Sequence, residues 1–143
     1  MRKLHKRRVV VKSNDSSILK KLFEYRVSFG LRNQSEYARA AFLVKKYRRI
    51  ASESNTKKIN DAKAKLKRLG ILQGDKSLLE LQVENFLNAR LQSVVSRKYC
   101  IGMRHARNLI ITGQVMVAKK TMKYPSFMPR LCNMDLITLK SNK

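Results

Sequence analysis

Met103-Arg104-His105-Ala106-Arg107-Asn108-Leu109-Ile110-Ile111, then Thr112-Gly113, then Gln114-Val115-Met116-Val117, is the stretch where the apolar period changes from helical to alternating. The first nine residues read as a short helix on which Arg104, Arg107 and Asn108 fall at i, i+3 and i+4, a spacing that points three hydrogen-bonding side chains one way. After Gly113, Gln114 to Val117 alternates, Ala118-Lys119-Lys120-Thr121 supplies a turn, and Met122-Lys123-Tyr124 alternates again before Pro125, which predicts a short hairpin. Leu136-Ile137-Thr138-Leu139 is apolar enough to add a strand to the same small sheet. This order clusters Arg104, Arg107, Lys119, Lys120 and Lys123 beside one compact core. Arginine forks grip phosphate oxygens bidentately and lysine supplies a mobile point charge, so the mixture points to shape and phosphate recognition rather than base reading.

Working back towards the N-terminus, apolar residues at 83, 86, 87, 91, 94 and 95 continue one helical face, with Arg90, Arg97 and Lys98 around it and a turn at Cys100-Ile101-Gly102. Ile71-Leu72-Gln73-Gly74-Asp75 reads as a turn between segments and as the internal boundary of the chain. Before it, Thr56 to Leu69 predicts a basic helix closed by Gly70, with Ile59, Ala62, Leu66 and Leu69 on one side. A further helix starts at Asn33-Gln34-Ser35-Glu36, where Asn33 is expected to cap and Glu36 to reach back in a capping-box-like arrangement. Its apolar face is Tyr37, Ala40, Ala41, Val44 and Tyr47, and Arg39, Lys45, Lys46, Arg48 and Arg49 load the remainder with charge that an external anion would relieve. The first helix follows the cap residues Asn14-Asp15-Ser16-Ser17 and ends at Gly30; its stripe of Ile18, Leu19, Leu22, Phe23 and Val27 is expected in the core. Residues 1–12 carry Arg2, Lys3, Lys6, Arg7, Arg8 and Lys12 with no acid, an arm expected to order on RNA.

A formal charge of +24 on 143 residues, with only nine carboxylates, makes the compact state strongly self-repelling until an anionic partner neutralises it. A hydrophobic fraction of 43% is nonetheless enough to bury a core, so this is no disordered basic tail. No apolar run approaches the roughly 20 residues of a spanning helix, and Val9-Val10-Val11 is too short for a signal-peptide core, which argues against a membrane partner. Cys100 and Cys132 lie far apart with no C-x-x-C, so free thiols in a reducing compartment are expected, with no metal site. Catalysis would need a convergent acid–base pair or nucleophile, whereas the carboxylates are scattered and His5 and His105 isolated, so the chain reads as no enzyme. His105 either contacts phosphate or covers the core edge; Arg104 and Arg107 beside it favour phosphate.

Val83 to Leu91, Arg104 to Ile110, Gly113 to Val117 and Pro125-Ser126-Phe127, taken in order, resemble the RNA-binding domain of the universal small-subunit ribosomal protein family four, called number nine in eukaryotic subunits. That domain occurs in other translation and RNA-modification proteins as well. Glu24-Tyr25, Gly30 to Glu36 and Leu66 to Leu72 resemble the eukaryotic and archaeal ribosomal members in particular. Two departures stand out: Ala89-Arg90 replaces the paired arginines usual in eukaryotic members, and no long basic extension follows Leu139, so contacts made by those parts are not carried over.

The resemblance implies an α+β, mostly α chain: a basic arm over 1–13, a helical region over 14–76, and over 77–143 a compact helix-turn-helix and β-hairpin RNA-binding domain. It implies a structural role on ribosomal RNA early in small-subunit assembly, near the messenger-RNA entry channel and beside neighbouring ribosomal proteins, with no catalytic residue and no cofactor. The location it implies is the cytoplasmic ribosome, with nucleolar assembly in a eukaryote. The RNA-facing role carries over to Arg90, Arg104, His105 and Arg107, then to Lys119, Lys120 and Lys123; the hydrogen-bonding ridge adds Asn108, and charge alone adds Arg97, Lys98, Arg7, Arg8, Arg32, Arg39, Arg48 and Arg49. The alternatives are a non-ribosomal structured-RNA-binding assembly or rescue factor and a DNA-packaging protein; the ordered N-terminal likeness weighs against both.

Overall fold

The computed structural model describes residues 16–140. The basic arm with Arg7 and Arg8, and the Asn14-Asp15 part of the first expected cap, lie outside the described residues. Three helices come first: α1 Ser16–Ser28, α2 Gln34–Ser52 and α3 Thr56–Arg68. A 3-10 turn at Leu78–Glu80 leads into α4 Val83–Asn88, α5 Leu91–Lys98 and α6 Met103–Ile111. Then β1 Val115–Val117, β2 Lys120–Thr121, α7 Leu131–Met134 and β3 Ile137–Leu139 complete the fold. The chain is therefore mostly helical, with one antiparallel sheet in the order β2-β1-β3.

The first helix ends where a glycine permits it. Gly30 sits at φ +58°, and the amides of Phe29 and Leu31 turn back onto the carbonyls of Tyr25 and Arg26 at 3.0 Å each. The helix is rotated relative to the expected stripe, however. Leu22 is buried and Tyr25 and Phe29 pack on the core, whereas Leu19, Phe23 and Val27 are 47%, 67% and 65% exposed. Aromatic contacts set the rotation: Tyr25 meets Phe29 and Tyr37 with ring centroids 6.0 and 5.4 Å apart, and its hydroxyl donates to Glu84 at 2.8 Å.

In α2 the buried positions Ala40, Val44 and Tyr47 follow the helical period, and Tyr47 stacks on Phe86 at 5.9 Å. Ala62 and Leu66 of α3 join them, so one core binds α2, α3, α4 and the Ile71-Leu72 turn. Each fully buried large side chain such as Phe86, Leu66 or Leu87 contributes about 1.5–3 kcal/mol of hydrophobic stabilisation.

The continuous helical face expected over 83–95 is broken at Ala89-Arg90, where Arg90 turns extended at φ −68°, ψ 146°. The break holds because the freed groups find partners. The Leu91 and Gln92 amides donate to the carbonyls of Phe127 and Pro125 at 2.6 and 3.3 Å. Ser93 Oγ and Arg97 Nη2 donate to the carbonyls of Leu87 and Asn88 at 2.8 and 2.7 Å. At this break the first core gives way to a second, in which Leu91, Val95, Ala106, Ile110, Val115, Val117 and Ile137 pack α5 and α6 on the sheet. The change of core thus comes later than the Ile71 to Asp75 turn, because Leu72, Leu78 and Leu81 all enter the first core.

The hairpin is tighter than the alternation suggested. Pairing of Val117 with Lys120 leaves only Ala118 and Lys119 in the turn, both left-handed at φ 48° and 66°. The strand foreseen at the C-terminal end pairs on the other side of β1, Val115 opposite Leu139 and Val117 opposite Ile137.

Candidate nucleic-acid interface

The cap foreseen for α2 is not made: Asn33 is in the capping position, but its side chain accepts no amide hydrogen bond. Glu36 is taken elsewhere. Its Oε2 accepts from Arg90 Nη2 at 2.6 Å, and its Oε1 accepts from Arg107 Nη2 at 2.6 Å. Arg107 Nη1 donates in addition to Gln92 Oε1 and to the Gly30 carbonyl, each at 3.2 Å. Gln92 Nε2 closes the network on the carbonyls of Gly30 and Met103 at 3.2 and 3.0 Å. One carboxylate from the N-terminal helices thus clasps two arginines from the C-terminal half.

Burial by itself would raise the Glu36 carboxyl, but the Arg107 and Arg90 hydrogen bonds and charges outweigh it and hold the group below the ordinary carboxylate range. Arg90 is pushed down by burial and pulled back by Glu36. The Nε atoms of both arginines are buried without a partner among the described residues.

The clasp redefines several expected contacts. Arg90 is 4% exposed and ion-paired, so its guanidinium is not presented to solvent for a phosphate. Arg107 turns inward, and the expected one-way ridge of α6 reduces to Arg104 and Asn108, both exposed together with His105. Lys98 is likewise occupied: its Nζ donates to the carbonyls of Met134, Asp135 and Ile137 at 3.0–3.1 Å, using all three ammonium donors to hold α7 and β3 on α5.

Arg48 and Arg97 are exposed but anchored, each with one Nη2 bond of 2.7 Å, to the carbonyls of Leu81 and Asn88. With Lys76 they line one cleft of about 660 Å³ between α2, the 3-10 turn and α4. Arg32, Arg39, Arg49, Arg104, His105, Lys119, Lys120 and Lys123 are exposed, and their side chains make no hydrogen bond or ion pair among the described residues. Arg32 meets Arg104 and Asn108 along one groove, whereas Lys123 lies against Gly113 at the opposite end of α6, about 13 Å along the helix. Glu36 and Gln92, the groups that join the halves, were missed as site residues. The available signal was an acid and a neutral amide surrounded by arginines in a chain with so few carboxylates.

No protein-family model matches the chain. Among curated proteins, it is 40% identical over 119 residues to the small ribosomal subunit protein uS4 of Korarchaeum cryptofilum, covering 76% of this chain and 72% of the relative. The chain belongs to the uS4 family. The uS4 protein of Entamoeba histolytica is 35% identical over 128 residues, 80% of this chain and 69% of the relative. That of Thermoplasma acidophilum is 32% identical over 130 residues, with shares of 81% and 65%. A uS4 relationship spanning archaea and a eukaryote agrees with the N-terminal likeness read from Gly30 to Glu36 and Leu66 to Leu72. Among the described residues no group of three or more His, Cys, Asp or Glu side chains is arranged to hold a metal, and no helix is long and apolar enough to cross a membrane.

Proposed function

We propose that the chain is a structural, non-catalytic constituent of the small ribosomal subunit that binds ribosomal RNA, supports subunit assembly and lies near the messenger-RNA entry channel. The supporting observation is the division of labour among its cations. Arg90, Arg107 and Lys98 build the body, and Arg32, Arg39, Arg49, Arg104, Lys119, Lys120 and Lys123 are left outside on a chain of charge +24. A rigid body studded with uncommitted cations suits the backbone of a folded RNA, because position rather than base identity then decides binding. Membership of the uS4 family supports reading the RNA as ribosomal, the location as the cytoplasmic ribosome and neighbouring ribosomal proteins as further partners.

The test is sedimentation through a high-salt gradient followed by crosslinking. The chain is expected in the small-subunit peak, crosslinked to small-subunit RNA through α6 and the hairpin. Crosslinks to a thiouridine-bearing messenger on assembled subunits check the entry-channel placement. A chain found free, or on another structured RNA, would instead identify a non-ribosomal assembly or rescue factor.

A further inference from the structure

The exposed face of α1 is unusual for a chain with this charge. Leu19, Phe23 and Val27 recur at i, i+4 and i+8, so they form one apolar stripe along the helix, and all three are about half to two-thirds exposed. Phe23 and Val27 form one wall of a groove of about 890 Å³ whose other wall is Met103 and Ile111 at the two ends of α6. Arg26, Arg32 and Arg104 line the same groove, and no carboxylate does. A contiguous apolar patch rimmed by polar groups marks an interaction site, whether for a protein, a membrane or a ligand.

We infer that this groove receives a segment of another protein, one that carries an apolar ridge flanked by carboxylates. The proposal rests on the ribosomal reading in one respect, that the partner is a neighbour in the small subunit. RNA would neutralise the arginines and could stack one base on Phe23, but it would leave Leu19, Val27 and Ile111 against a hydrated polyanion, since aliphatic side chains offer no ring on which a base can stack. A second copy would bring the same arginines against themselves, and like charges facing each other are repelled. An acidic-apolar segment satisfies both halves of the surface: its apolar side chains cover Phe23, Val27 and Ile111 while its carboxylates meet Arg26, the groove arginine that lies outside the RNA-facing set.

The experiment replaces Phe23 by the photoreactive benzoylphenylalanine in cells, purifies small subunits, irradiates them and maps the crosslinked peptide. The expected product joins position 23 to one other protein of the subunit, at a segment with large apolar residues and a carboxylate within a helical turn of the crosslink. Adding Arg26→Glu is expected to lower that yield about tenfold, because a like charge then faces the partner's acids. A crosslink to RNA, to a second copy, to this chain's own residues 1–15 or to a segment lacking acids overturns the inference, as does the absence of any crosslink. Sedimentation of the unmodified chain separates the two levels. A chain present in the subunit but crosslinked to RNA overturns the docking site alone, and a chain absent from the subunit overturns both.

Discussion

Glu36 is the residue on which the two halves of the molecule depend. Its side chain is 11% exposed between Arg90 and Arg107, whose side chains are 5% and 16% exposed. Removing the carboxylate would leave two guanidiniums buried together, and breaking a buried pair in this way costs about 3–5 kcal/mol. Glu36→Gln is therefore expected to lower the urea unfolding midpoint by an amount matching a loss of about 3 kcal/mol. The pH dependence carries the same signature. Because the folded carboxyl lies below its ordinary value of about 4.3, its contribution is present in full above that pH and is lost as pH falls towards the depressed folded value. Urea midpoints measured from pH 6 down to pH 3 should fall less in Glu36→Gln than in the unaltered chain; parallel curves would remove Glu36 as the source. At the alkaline end Tyr25, pushed up to about 12 by its hydrogen bond to Glu84, keeps its contribution below about 10 and loses it as pH rises through 12.

Gly30 belongs to the same scale. Its carbonyl accepts from both Gln92 and Arg107, and a Cβ built on it would lie 2.7 Å from Gln92 Nε2 and 2.8 Å from Met103 Cβ. Gly30→Ala adds a left-handed penalty of about 1–2 kcal/mol to a clash with the clasp itself, so a loss of about 3 kcal/mol is expected in chemical denaturation.

At the scale of elements, the hairpin carries backbone strain that can be relieved. Ala118 and Lys119 both hold φ above zero in a two-residue turn where Asn or Gly is ordinarily found. Ala118→Gly is expected to stabilise the protein by about 0.5–1 kcal/mol while leaving Lys119 and Lys120 in place, so the melting temperature rises with RNA affinity unchanged. The rotation of α1 and the break between α4 and α5 are the two places where periodicity misled. In both, a helical pattern fits more than one face or length, and tertiary partners chose among them: Tyr37 and Glu84 for α1, the Phe127 and Pro125 carbonyls for α5. By contrast α2, α3, the Gly70 stop and a third strand at Ile137–Leu139 were legible, because strong periodicity and a nearby breaker left no competing arrangement.

For the whole molecule, the separation of structural from available cations sets the binding experiment. Arg104→Ala with Lys120→Ala removes two exposed charges, one on α6 and one on the hairpin, without touching the clasp. The double variant should keep its circular-dichroism spectrum and melting point, yet bind a junction-containing ribosomal RNA fragment more weakly. The slope of log affinity against log salt should fall by about 0.7–0.9 for each phosphate that is no longer neutralised. An unchanged slope would place both residues outside the interface. Arg107→Ala should differ in kind, losing stability first, because its guanidinium is spent on Glu36, Gln92 and Gly30.

The sequence by itself determined the expectation of a polyanionic partner, the mostly helical α+β architecture and the resemblance that the uS4 relatives bear out. Net charge, apolar period and ordered motifs are properties of the chain that need no coordinates. Only the tertiary structure decided which arginines are available. Arg90, Arg104 and Arg107 are the same residue type within one motif, and nothing local distinguishes them. Glu36, more than fifty positions before Arg90, is brought beside two of them by the packing of the first core and leaves the third to solvent. A buried carboxylate draws the guanidiniums it can reach out of water, and that reach is fixed by the fold.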